Sequence, residues 1–149
     1  MKKAQLGIFL FILALGAIIL QERSWQQTLE PLSTDIKPIE RNDMLDAADI
    51  QVGREISHNC TACHSFSKDG PNKTGPNLFG IVGAKIARRK DFEYSDALMA
   101  LRGKTWSIAE LDHWLKEPDI YVPGTKMSSG GIADPQDRMD LIAYLMTLK

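Results

Sequence analysis

The chain has two cysteines, two residues apart, with a histidine directly behind them: Cys60-Thr61-Ala62-Cys63-His64. That spacing constrains the chain more than anything else in it. C-x-x-C-H is the attachment pattern for c-type haem. Each cysteine sulfur adds across one porphyrin vinyl group, and two intervening residues let one turn of chain reach both vinyls. The adjacent imidazole then falls under the iron as its proximal ligand. Three other readings compete. A redox dithiol wants a βαβ context, and no such pattern surrounds residues 60–63. A structural zinc site wants four ligands, and only His58, His64 and His113 could join the cysteines, at irregular spacing. A disulfide across two residues would close a tiny loop and constrain little. Covalent haem is the reading carried forward.

At 149 residues one domain is the default. The 18 basic and 19 acidic residues nearly cancel, which argues against nucleic acid, since binding it calls for a strongly basic face. The N-terminus is a separate unit. Met1-Lys2-Lys3 precedes an unbroken run of apolar residues and glycine over 6–20. The run is longer than most signal-peptide cores and shorter than the roughly 20 residues of a comfortable membrane span. Including Ala4 and Gln5, it can span with Lys2 and Lys3 snorkelling. No A-x-A-like cleavage site follows it; Ala14-Leu15-Gly16 lies inside the run. Residues 1–20 therefore read as an uncleaved signal-anchor in preference to a removed signal peptide. The lysines place its start in the cytoplasm, and Trp25 suits the outer interface. Either reading sends the rest across a bacterial inner membrane into the periplasm, where covalent haem attachment occurs. Residues 21–42 are polar, broken by Pro31 and Pro38, and read as a tether, unless part of them packs on the domain at 43–149.

That domain is expected to be all-α, with short helices and long loops. Asn42 or Asp43 can cap a first helix running to about Cys60, with Leu45, Ala48, Val52 and Ile56 on its buried face. Residues 65–83 hold too many breakers for regular structure. Ser95 can cap a short helix through Leu101 that Gly103 closes. Ser107-Ile108-Ala109-Glu110 is a capping box opening a helix with Leu111, Trp114 and Leu115, which stops before Pro118. Asp134-Pro135 opens the last helix, striped by Leu141, Ile142, Leu145 and Met146. No strand pattern and no repeat is visible. So loop-rich a domain needs the haem as part of its core.

The iron needs a sixth ligand or keeps an open site; the candidate ligands are six methionines and two remaining histidines. Met1 is in the leader and Met44 precedes the motif. Met99, Met139 and Met146 sit at core spacing on helices, where methionine is usually packing. Met127 lies in the loop Val122-Pro123-Gly124-Thr125-Lys126-Met127-Ser128, stiff at its start and free of helix pattern, and is the expected ligand. His113 is the rival, mid-helix beside Trp114. His58 is too near the attachment site to reach the opposite face.

With these residues the chain resembles class I cytochrome c, in the mitochondrial-type and α-proteobacterial branch, from about Gly53 to Leu148. The match is carried by the C-x-x-C-H motif, Lys73-Thr74-Gly75-Pro76-Asn77-Leu78-Phe79-Gly80, Phe92-Glu93-Tyr94-Ser95-Asp96-Ala97, Thr105-Trp106, Tyr121 to Met127 and Asp140-Leu141-Ile142-Ala143-Tyr144-Leu145. The leader and tether resemble those of membrane-anchored bacterial cytochromes c. The resemblance implies one covalent haem c, held through Cys60 and Cys63 with His64 and Met127 on its iron. It implies that the Pro76 carbonyl fixes His64, that Tyr94 and Trp106 bond a propionate, and that Thr125 helps close the Met127 loop. Gly53 and Ile56 would cross the last helix near Tyr144. Ser57, Ala84, Leu98, Trp114 and Ser129 depart from the family's usual residues around the haem. Asn59, Asp119 and Ile120 stand where the family is often basic; Lys73, Lys85, Arg88, Arg89, Lys90 and Lys126 remain. Residues 88–90 are either a solvated charge run or a docking patch for an acidic partner.

The expected function is electron transport, with no enzyme activity because the iron has no open position. The expected donor is a quinol-oxidising cytochrome bc1-type complex. The acceptor would be a haem-copper terminal oxidase or a photosynthetic reaction centre. The protein is expected to be a monomer outside such complexes. The alternatives are a haem enzyme or gas sensor with a labile sixth ligand, and a fixed cytochrome subunit of a respiratory supercomplex.

Overall fold

Helix start signals in this sequence are short polar side chains placed just ahead of apolar runs, and the structure uses them. The computed structural model describes residues 41–149. The expected anchor at 1–20 and nearly all of the tether at 21–42 lie outside the described residues. Among the described residues no helix is long and apolar enough to cross a membrane. Six helices follow in order: α1 (Arg41–Asp46), α2 (Ile50–Ser57), α3 (Asp96–Met99), α4 (Ile108–Lys116), α5 (Pro118–Tyr121) and α6 (Pro135–Thr147), with a 3-10 turn at His58–Cys60. No strand occurs among these residues; one isolated antiparallel bridge joins Lys85 and Thr105.

Ser95, Ser107 and Asp134 cap α3, α4 and α6, each accepting backbone N–H bonds from the first turn. Several expectations need correction. The first helix is two helices, because Asp49 caps a fresh start by accepting from Gln51 and Val52 N–H. Its buried positions are Gly53 and Ser57, while Val52 is 41% exposed. Leu45, Ala48 and Ile56 of the expected face are half-buried against the core, and only Val52 departs from it, because the deepest positions of the crossing are taken by small residues. The capping box at 107–110 is half formed. Ser107 accepts from Glu110 N–H at 3.2 Å, but the Glu110 carboxylate turns away to accept the Tyr121 hydroxyl. The helix opened by Ser107 stops before Pro118 as expected, and residues 118–121 then form a further short helix, α5, with proline at its first position.

The core joins α4 and α6 to the loop residues Ile81 and Ile86, with Trp106, Trp114, Met139, Leu141 and Ile142 buried. α2 crosses α6 at Gly53, where an added Cβ would lie 1.9 Å from the Asp140 carbonyl oxygen. Only glycine permits that approach. The Gly53 contact falls at Asp140 and Leu141, one turn before the expected Tyr144; Tyr144 instead packs on Phe66, ring centroids 6.3 Å apart. Asp140, buried, accepts the Asp49 N–H and the Gln136 amide, both at 2.9 Å. Gln136 also donates to the Met44 carbonyl. The break between α1 and α2 is thus stitched to α6. Met99, expected in the core, is 39% exposed and lines an open cleft with Arg89, Lys90, Phe92, Tyr94 and Arg102.

Candidate haem-binding site

α2 runs into the 3-10 turn, and the turn delivers the cysteines. Thr61 N–H bonds His58 O, and Cys63 and His64 N–H both bond Cys60 O, at 2.9–3.1 Å. The chain coils tightly enough to present both thiols within one turn. Cys60 is half-buried, Cys63 exposed, and both are free. Burial, then the neighbouring Cys63, pushes the Cys60 thiol above its ordinary pKa. No group of three or more His, Cys, Asp or Glu residues converges among the described residues, so the zinc reading lacks a ligand set there.

His64 is half-buried, and its Nδ1 lies 2.7 Å from the Pro76 carbonyl oxygen. A carbonyl can only accept, so Nδ1 carries the proton and Nε2 is the free lone pair, the tautomer a metal ligand needs. Burial lowers the imidazole pKa; the Pro76 bond opposes this and Lys73 adds to it. The ring therefore favours its neutral, ligating form. Gly75 packs directly on it: a Cβ there would lie 2.3 Å from Cε1 and 2.8 Å from both nitrogens.

The loop carrying Pro76 is knotted by a residue that sequence reading treated only as part of a motif. Asn77, 1% exposed, donates to Ser67 O and Gly70 O and accepts from Phe79 N–H. Its own N–H bonds Asn72. A buried amide inside a loop of breakers was the available signal. Arg88 adds a second grip, its guanidinium donating to the carbonyls of Phe79 and Gly80.

Met127 is half-buried in the loop after α5 and packs against the core. Gly124 takes φ +90°, a turn that L side chains resist. Thr125 N–H bonds Val122 O at 3.0 Å, and Met127 N–H bonds Thr125 Oγ1 at 3.2 Å. Trp106 is buried against Trp114, ring centroids 5.3 Å apart. Tyr94 is half-buried, its hydroxyl accepting from Arg89 N–H at 3.4 Å and its ring edge-on to Phe92. The structure thus brings Pro76 to His64 and Thr125 to Met127, and holds Tyr94 and Trp106 on separate loop segments. The rival ligands lie on the surface: His113 is exposed, stacked on Tyr121, and His58 is exposed, 3.5 Å from Glu55.

A family model described as Cytochrome c matches residues 50–149. The chain belongs to the cytochrome c family. It is 46% identical over 110 residues to a cytochrome c homolog of Rickettsia bellii, a match covering 74% of this chain and 63% of that protein. This cytochrome c therefore spans just under two thirds of that relative's length. It is 42% identical over 101 residues to cytochrome c2 of Rhodomicrobium vannielii, covering 68% of this chain and 80% of the other. Among solved structures it matches cytochrome cH from Methylobacterium extorquens with a TM-score of 0.61 and 44% identity, over 67% of this chain and 99% of that one. The fold is the helical class I cytochrome c fold, of the α-proteobacterial type.

The family's cofactor is covalent haem c with its iron, and the residues present fit it. Two adjacent free thiols supply the attachment. An imidazole locked in its ligating tautomer stands beside them, and Gly75 leaves the ring the space a Cβ would fill.

Proposed function

We propose that this cytochrome c is a one-electron carrier tethered to a bacterial inner membrane, with its haem domain in the periplasm. It passes electrons from a quinol-oxidising bc1-type complex to a terminal oxidase or photosynthetic reaction centre. The observation that supports the electron-transfer reading is the imidazole of His64, its tautomer set by Pro76 beside the two thiols, and the thioether of Met127 held in its own hydrogen-bonded loop fits the same reading. The membrane placement rests on Lys2, Lys3 and the apolar run at 6–20.

When bound, haem c supplies an iron that cycles between ferrous and ferric states. Cys60 and Cys63 hold it to the chain, so it cannot be lost on partner exchange. His64 presents Nε2, with Nδ1–H kept on Pro76. Met127 presents a soft thioether, which favours the reduced metal and a high potential. Thr125 and Gly124 fix the backbone on which Met127 sits. Tyr94 and Trp106 would hold a propionate through their hydroxyl and indole N–H. His64 and Met127 would together hold the iron through an imidazole and a thioether, which suits electron transfer rather than substrate binding.

The test is carbon monoxide binding by the reduced holoprotein. Wild type is expected to be low-spin and to bind it poorly; Met127→Ala is expected to bind it readily and to have a lower potential. Ready binding by wild type would overturn the carrier reading in favour of a haem enzyme or gas sensor. Intact mass of protein from salt-washed membranes tests the tether: full chain plus one haem is expected, and loss of about the first twenty residues would replace the tether with a released shuttle.

A further inference from the structure

Arg138 and Asp112 form an ion pair between α6 and α4, Nε to Oδ1 2.7 Å, at 6% and 9% residue exposure. A pair this buried is a poor way to hold two helices together. Its desolvation cost rivals its attraction, and apolar side chains of similar size would do as well. The guanidinium does something else besides. Its Nη1 donates to the carbonyls of both Ile132 and Ala133, each at 2.8 Å. Those residues end the loop that carries Met127. Alongside them, Ile132 N–H bonds Leu115 O at 2.8 Å, and Gly131, φ +71°, sits so close to α4 that a Cβ would lie 1.9 Å from Lys116 O. The entrance of the same loop is held by Tyr121, whose hydroxyl bonds Glu110. Both ends of the segment 122–132 therefore hang from α4, and slack at either end displaces Met127.

We propose that Asp112 and Arg138 are positioning residues that keep the Met127 sulfur on the iron. Asp112 orients the guanidinium through Nε, and the guanidinium holds the loop exit through Nη1. This rests on the ligand assignment proposed above. In this role the pair raises the cost of displacing methionine by a competing ligand.

Added imidazole is the probe, titrated into the ferric holoprotein and followed by loss of the sulfur-to-iron absorption. Asp112→Asn is expected to raise imidazole affinity about tenfold, the worth of one weakened charge-assisted hydrogen bond. In a Met127→Ala background the same change is expected to have no effect. Because a lone change at a buried pair can destabilise the whole domain, Asp112→Leu combined with Arg138→Leu is the second variant. It removes both charges of the pair, retains apolar packing and removes both carbonyl bonds, and the same rise is expected. Wild-type imidazole affinity in these variants, even with a lower melting temperature, would overturn the proposal and leave the pair a packing feature. A wild-type holoprotein without the sulfur-to-iron absorption would overturn the Met127 assignment and this inference together, so the two failures are distinguishable.

Discussion

A single missing carbon decides how His64 stands. Gly75 lies flat on the imidazole, and a methyl group there would sit 2.3 Å from Cε1. Gly75→Ala is expected to push the ring off its Pro76 bond, lowering holoprotein yield and shifting the reduction potential, with about 1–3 kcal/mol of overpacking cost. Gly103→Ala, where an added Cβ meets nothing within 4 Å, is the control, expected within about 0.5 kcal/mol of wild type in urea unfolding. A second residue, Tyr121, offers a pH signature. Burial first, then the bond to Glu110 and its charge, raises the phenol from 10.0 to about 12. Below pH 10 folded and unfolded states both hold the proton, and the stabilisation is complete. Between about pH 10 and 12 the unfolded chain loses it first, so stability falls as pH rises. Urea unfolding of wild type against Tyr121→Phe should show a steeper fall in wild type; the variant keeps only the smaller loss that comes from Tyr94, whose phenol burial also raises. The attachment motif was legible because thioether chemistry dictates a spacing, and Met127 stands out as the proposed ligand because its loop opens on proline and glycine. Gly75, Asn77 and the Glu110–Tyr121 bond were not read as positioning groups, because their work is fixed by approach distances that no local pattern encodes.

Helix ends were easier to read than helix faces. Ser95, Ser107 and Asp134 cap as their side chains dictate, since capping is decided within four residues. Removing one should register: Asp134→Ala is expected to cost about 1 kcal/mol. In the first helix periodicity found Leu45, Ala48 and Ile56, which pack on the core, but missed the break at Asp49 and the deepest positions, since a tight crossing with α6 selects small residues and periodicity cannot register a buried glycine or serine. Ser57 is 2% exposed, its hydroxyl bonded to Arg54 O. Gly53→Ala tests the crossing. The clash is backbone against Cβ at 1.9 Å, so α2 and α6 must separate, and a loss of about 3 kcal/mol or more is expected by thermal unfolding. A loss below 1 kcal/mol would show that the crossing yields.

Over the whole molecule, the cations that looked like a docking patch are largely occupied. Arg89 pairs with Asp91 at 2.8 Å and Lys126 with Glu93 at 2.9 Å. Arg88 is turned into loop carbonyls. That leaves Lys90, of residues 88–90, exposed without an ion-pair partner among the described residues. Ile120, nearby in sequence to Met127, is 66% exposed, and the chain carries a formal charge of −1. Steered association gains about 10- to 1000-fold in rate at low salt; here a change smaller than about tenfold is expected between low and physiological ionic strength, measured by stopped-flow reduction. A steeper dependence would restore the patch. Arg88 is a poor residue with which to test steering, since changing it also releases Phe79 and Gly80. The Gln136 stitch has a mechanical consequence. Load applied at residue 41 enters α1, whose Met44 carbonyl is gripped from α6, and the Asp49–Asp140 bond takes up what remains at the hinge. Tension from upstream is shunted into the terminal helix before it reaches Cys60, so the attachment turn is strain-isolated from whatever pulls on the chain ahead of it.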